Sequence, residues 1–325
     1  MRIFRVLVLA SLAVAMLGAA TRSETYQLDG TILREDGRPF LHSQAALFLH
    51  GAVKPYFAKA DAGPDGKFRF KNVPADTYTL VVTMPRIGEI RKTIEVGPGL
   101  ADAKKRVAVA ITIDKAATME NGGGVSATEL SIPYNAKQEY SKAEQYIARR
   151  DIQGAVAYLK RAVEIAPQFA IAWNFLGTIA HQTGKFAEAE GYFREALRQD
   201  PGQYPPLVNL GGTLISQGKI DEALLMNQRA VAASPRDPLA HAQLGISYFY
   251  LGRLDDAEMH LRKAKTLDSG HFTNPQLFLS EIYANRGQIS AAISEIEEFL
   301  KLHPDAENAS TLRQTLESLR ARIER

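Results

Sequence analysis

The chain has 325 residues, 46% hydrophobic and 23% charged, a balance ordinary for soluble globular proteins that excludes wholesale disorder. Its formal charge of +3 falls to +1 without Arg2 and Arg5, which leaves no electrostatic case for binding nucleic acid. Cysteine is absent, so a disulfide framework and lipid attachment at cysteine are excluded and the fold must be held by its core.

Residues 1–20, MRIFRVLVLASLAVAMLGAA, carry two arginines, an apolar run from Val6 and small residues ending at Ala20. This is the pattern of a secretory signal peptide, and a transmembrane anchor would need about twenty apolar residues. Cleavage after Ala20 is expected. The mature protein is then expected to be exported, periplasmic or extracellular in a bacterial envelope, with no stable membrane span.

Residues 24–115 alternate apolar and polar side chains in short runs, TYQLDGTIL, AALFLHG, GKFRFKNV, DTYTLVVTM and KKRVAVAITI, separated by turn clusters. Such alternation predicts an all-β sandwich of about seven strands between Tyr26 and Ile113. Asp36-Gly37 and Asp65-Gly66 are hairpin-type turns, and Phe68, Phe70, Tyr78 and Leu80 alternate as one buried face requires. The run from Asp61 to Leu80, with Gly30, Gly37, Pro39, Gly66, Phe68, Phe70, Val73, Pro74, Tyr78 and Leu80, resembles the carboxypeptidase regulatory-like domain, a transthyretin-like sandwich. Asp61 is displaced by two residues from that pattern, and Asp76 stands where it has glycine. The resemblance implies an accessory fold without catalytic residues. Residues 116–133 contain three consecutive glycines and no apolar period, which predicts a flexible linker and two modules that move independently unless a docking face not visible in sequence fixes them.

Residues 134–304 carry a 34-residue period, which predicts stacked helical hairpins. Five units run over about 136–169, 170–203, 204–237, 238–271 and 273–306, and residues 305–325 read as a charged helix capping the array. Small residues recur at repeat position 8 (Ala143, Gly177, Gly211, Gly245, Ser280) and position 20 (Ala155, Ala189, Ala223, Ala257, Ala292), where paired helices must approach closely. Gly184, Gly218, Gly252 and Gly287 fall at position 15, where the chain reverses, while the first unit has Arg150 there. Asp237-Pro238 and Asn274-Pro275 read as helix N-caps followed by proline in the first turn. Trp173, Leu176, Gly177, Ala189, Phe193, Ala196 and Pro201 resemble the tetratricopeptide repeat pattern, with Ala180 at its tyrosine position. The fold class expected is therefore multidomain all-β plus all-α, a β-sandwich followed by an α-solenoid.

The tetratricopeptide resemblance implies a ligand groove on the first helix of each unit. Its candidate residues here are Tyr140, Asn174, His181, Val208, Asn209, Ile215, Ile246, Phe249 and Tyr250. Apolar and aromatic side chains contiguous on such a face would grip a partner, with Asn and Gln fixing an extended backbone. The alternative is that Ile147, Ile246 and Phe249 pack between helices. Of the Lys, Asn and Arg positions that some members use to clamp a C-terminal carboxylate, only Asn209 is in register, so that mode is not expected. The seven histidines lack ligand spacing, and no nucleophile elbow, phosphate loop or dinucleotide fingerprint occurs, so no enzyme activity, metal or cofactor is expected. The reading is a non-catalytic scaffold holding a protein or extended peptide. Its alternative is a sandwich that binds glycan or another envelope component, with the repeats as support.

Overall fold

The computed structural model describes residues 24–41, 45–84, 88–113 and 130–323. The predicted signal peptide and residues 116–129 of the predicted linker lie outside the described residues.

Seven strands form the N-terminal module: β1 (Thr25–Arg34), β2 (Ala46–Gly51), β3 (Phe57–Asp61), β4 (Lys67–Pro74), β5 (Asp76–Met84), β6 (Gly88–Val96) and β7 (Arg106–Ile113). They make two sheets, β4-β1-β7 and β3-β2-β5-β6. β1 pairs antiparallel with β4 and parallel with β7, while every pair in the larger sheet is antiparallel. The alternation seen in sequence is the pleat itself. Leu28, Ile32, Leu47, Leu49, Leu80 and Val82 point inward and are fully buried, and Phe68, Phe70 and Tyr78 join them in one core. Gly30 lies beneath the Phe68 ring, where a Cβ would overlap it. No left-handed backbone occurs at Asp76, so nothing there demands the glycine of the resembled pattern.

Eleven helices follow among the described residues. They are α1 (Tyr134–Ala148), α2 (Ile152–Ile165), α3 (Ala170–Gln182), α4 (Phe186–Gln199), α5 (Tyr204–Ser216), α6 (Ile220–Ala233), α7 (Pro238–Tyr250), α8 (Leu254–Leu267), α9 (Pro275–Asn285), α10 (Ile289–Leu302) and α11 (Ala309–Ile323). The first ten pair as five hairpins. Gly184, Gly218, Gly252 and Gly287 turn them with φ between 73° and 77°, and Arg150 takes the same left-handed turn at φ 62° without glycine. Position 8 of each first helix packs on position 24 of its partner: a Cβ on Gly177 would sit 2.6 Å from the Phe193 ring, and one on Gly245 2.8 Å from Leu261. All five position-20 alanines are fully buried. Leu312, Leu316 and Leu319 of α11 close the last apolar face.

Asp237 caps α7, its carboxylate accepting from the Leu239 and Ala240 amides at 2.7 and 3.4 Å. Asn274 differs from the sequence expectation. It holds the N-cap position of α9 but makes no side-chain cap, because its backbone is left-handed at φ 53°.

The two modules are in contact, so a docking face that the sequence does not reveal takes the place of the independent motion expected from the glycine-rich connection. The side-chain alternation of β2, β3, β5 and β6 leaves a second face outside the sandwich core, and that face meets the repeats. Phe57 is buried in a cluster with Ile132, Ala136 and Ile147, with Phe48 packed against it. The Gly51 carbonyl accepts from Gln182 Nε2 at 2.7 Å. Sequence gave no sign of this seam, since outward-facing sheet residues such as Phe48 and Arg91 satisfy the same alternation whether solvent or protein covers them.

Candidate partner-binding groove

The first helices of units two and three bring a set of amides and hydroxyls together. Asn209 Nδ2 on α5 donates to Asn174 Oδ1 on α3 at 3.0 Å and lies 3.5 Å from Thr178 Oγ1. Thr213 donates its hydroxyl to the Asn209 carbonyl at 2.8 Å, so its oxygen is the acceptor for His181 Nδ1 at 3.0 Å. That fixes the His181 tautomer, with the proton on Nδ1. Burial pushes this imidazole down to about 4, so it is neutral at pH 7. One unit further on, Gln243 of α7 lies over Gly212, where a Cβ would overlap its amide nitrogen. Gln243 Oε1 is buried and has no hydrogen-bond partner. The row thus runs Asn174, Asn209, Thr213, His181 and Gln243 across three repeats and ends on an unpaired acceptor.

The apolar candidates divide. Phe249 packs edge-to-face on Phe278 at 5.4 Å and on Tyr250 at 5.7 Å. Tyr250 is 37% exposed, and burial with nearby Glu281 raises its hydroxyl pKa. Ile215 is half-buried beside them. Val208, in contrast, is fully buried with Leu207, Ala230 and Ala240, and Ile246 is buried in the cluster joining units four and five. Both pack between helices and present no side chain to a partner. Tyr140 also packs inward, its ring 5.4 Å from Phe169 and 5.8 Å from Phe175. The structure therefore brings Asn174, His181 and Asn209 together, sets Ile215, Phe249 and Tyr250 beyond them, and assigns Tyr140, Val208 and Ile246 to packing. Sequence reasoning missed Thr213 and Gln243. Their signal was a polar side chain one or two positions inside the groove register, on a helix otherwise apolar.

A second group lies along the loops that join consecutive repeats, and strand β6 runs against it. Arg91 Nη1 is 3.7 Å from Asp237 Oδ2 and its guanidinium lies 5.8 Å from the Tyr204 ring centroid. Burial opposes the Arg91 charge, but Glu89 and Asp237 hold it protonated more firmly than usual. Lys92 Nζ pairs with Asp268 Oδ1 at 2.7 Å, and the Thr93 amide donates to Asp268 Oδ2 at 2.9 Å. Glu95 Oε2 is 2.8 Å from His303 Nδ1, and the Gly99 amide donates to Asp305 Oδ2 at 2.7 Å. Nearer the start of the array, burial raises the Glu144 carboxyl pKa, partly offset by the charge of Lys59 on β3. Among the described residues no group of three or more His, Asp or Glu could hold a metal, and no helix is long and apolar enough to cross a membrane.

Residues 140–204, 180–245 and 239–271 each match the tetratricopeptide repeat family. Residues 140–271 are tetratricopeptide repeats. Over 170 residues, 50% of this chain, the sequence is 28% identical to the anaphase-promoting complex subunit CDC16 of Saccharomyces cerevisiae, and it spans only 20% of that protein. Among solved structures, a chain of the APC/C hetero-tetramer Cut9-Hcn1 is 20% identical with a TM-score of 0.51, covering 58% of this chain and 37% of its own length. MamA from Desulfovibrio magneticus RS-1 is 19% identical with a TM-score of 0.49, covering 55% of this chain and 99% of its own. YrrB, a tetratricopeptide repeat protein, is 23% identical with a TM-score of 0.46, covering 59% and 100%.

Proposed function

We propose that the chain is a non-catalytic interaction scaffold whose tetratricopeptide repeats hold an extended segment of a partner protein. The observation that carries this reading is the amide and hydroxyl row Asn174, Asn209, Thr213, His181 and Gln243, which ends on a buried, unpaired Gln243 Oε1. Asn174, His181 and Asn209 are only half-buried, so their remaining polar atoms can meet the backbone of an extended ligand. Ile215, Phe249 and Tyr250 supply the apolar step beside the row. The curated relative is named as a subunit of a multiprotein complex, in keeping with a scaffold. Cleavage after Ala20 would place the scaffold in the envelope or outside the cell, with the sandwich as a carboxypeptidase regulatory-like accessory module. N-terminal sequencing checks that placement: an intact Met1 on the mature protein counts against it.

In-cell crosslinking with mass spectrometry tests the groove. Asn209→Ala and Tyr250→Asp are each expected to reduce crosslinked partner at least tenfold, whereas Leu225→Asp, on an exposed second-helix position, leaves it unchanged. If the Leu225 variant loses the partner and the groove variants keep it, the groove is the wrong surface.

A further inference from the structure

The loops that close successive repeats carry Asp200, Asp237, Asp268, His303 and Asp305. β6 and the turn after it meet the last four in chain order: Arg91 at Asp237, Lys92 and Thr93 at Asp268, Glu95 at His303, and, beyond the strand, Gly99 at Asp305. Adjacent residues Arg91 and Lys92 reach the loops of two successive repeats, and Glu95 and Gly99 both reach the loop that follows α10, so this segment follows the order of the repeats. The contacts are of three kinds, a pair of cations on carboxylates, backbone amides on carboxylates, and a carboxylate on histidine. Asp268 is only 1% exposed and is served by β6 on both oxygens. Upstream in the row, Asp200 Oδ2 is buried without a partner.

We propose that this loop edge of units three to five is a reading site for an extended segment with adjacent basic residues, occupied in this chain by its own β6. The sandwich is then a tethered occupant. A largely polar, hydrogen-bonded seam with an apolar anchor at Phe48 and Phe57 resembles a transient interface more than a domain core. A short tether holds its occupant at an effective concentration on the order of millimolar, so an external segment binds well only when β6 has left. This site is separate from the amide row, and either can fail without the other.

The absence of cysteine makes a single-thiol test clean. Glu144→Cys places a thiol under the sandwich, beside Lys59. Adding Arg91→Glu with Lys92→Glu, both on the sandwich, is expected to raise its rate of labelling by a maleimide at least tenfold while circular dichroism stays unchanged. A fluorescent peptide of residues 88–99, GEIRKTIEVGPG, is then expected to bind the released protein at least tenfold more tightly than the otherwise unmodified chain, and Asp268→Asn in the released protein is expected to remove that gain. Equal labelling rates in both backgrounds would overturn the tethered occupancy. Release without peptide binding that depends on Asp268 would overturn the reading site.

Discussion

Lowering the pH from 7 to 5 is expected to destabilise the folded protein by several kcal/mol, most of it through buried histidines. Burial pushes His50, His181 and His271 down to about 4 each, and it lowers His241 and His260 as well. His50 also feels the unfavourable charge of Arg91, and at His271 that of Lys92 works against the favourable Asp268 and Asp237. A histidine whose pKa is lower folded than unfolded leaves the unfolded chain holding more protons as pH falls below the ordinary value near 6.5. Stability from such a group is complete above that value and is lost progressively down to about 4. With each pKa unit worth about 1.4 kcal/mol, each of the three costs about 2 kcal/mol by pH 5. Against a total stability of about 5–15 kcal/mol, this is a substantial fraction of what holds the chain folded. Urea titrations at pH 7, 6 and 5 measure the slope, and His181→Gln or His271→Gln should each flatten it. An unfolding midpoint unchanged between pH 7 and 5 would mean that these rings are solvated.

Gly211→Val is expected to cost about 3 kcal/mol or more. A Cβ at Gly211 would overlap Asn227 Oδ1, and Asn227 is fully buried with its Nδ2 donating to Ser247 Oγ at 3.0 Å. The added side chain must therefore push apart α5 and α6, or break the Asn227–Ser247 hydrogen bond, which ties unit three to unit four. Overpacking typically costs about 1–3 kcal/mol, and orphaning the buried Ser247 and Asn227 groups adds to it. Asn227→Ala in the same chain should restore at least half of the lost stability by making room. Gly191, exposed on α4 with nothing near its Cβ position, is the control: Gly191→Ala should be neutral or stabilising by up to about 1 kcal/mol. Equal unfolding midpoints for Gly211→Val and the unmodified chain would refute the close approach at position 8.

The features that sequence exposed are those set by backbone and steric rules acting locally. The turn glycines at position 15 have left-handed angles because the chain reverses there, and Ala155, Ala189, Ala223, Ala257 and Ala292 are buried because two helices cross at each. The strands followed from alternation for the same reason. The groove was harder to read. Val208 and Asn209 are neighbours on one helix and Ile246 and Phe249 lie three residues apart on another, yet Val208 and Ile246 are buried between helices while Asn209 and Phe249 are half-buried. Arg150 shows a different limit, since the left-handed turn survives there without the residue that signals it elsewhere. The seam was not legible at all. Asp268 and His303 are ordinary residues at the ends of helices until a strand some 175 and 208 positions away in sequence is laid against them.

The central claim is that the repeats hold their own sandwich along the loop edge and leave the amide row to a partner. The most direct measurement is pulsed electron–electron spin resonance on the full chain, with spin labels on Lys71→Cys in β4 and Glu188→Cys in α4, both exposed. A single narrow distance distribution that broadens when Arg91→Glu and Lys92→Glu are added is the result this account predicts. A broad distribution already present in the chain without those changes, as two modules on a free tether would give, would contradict it.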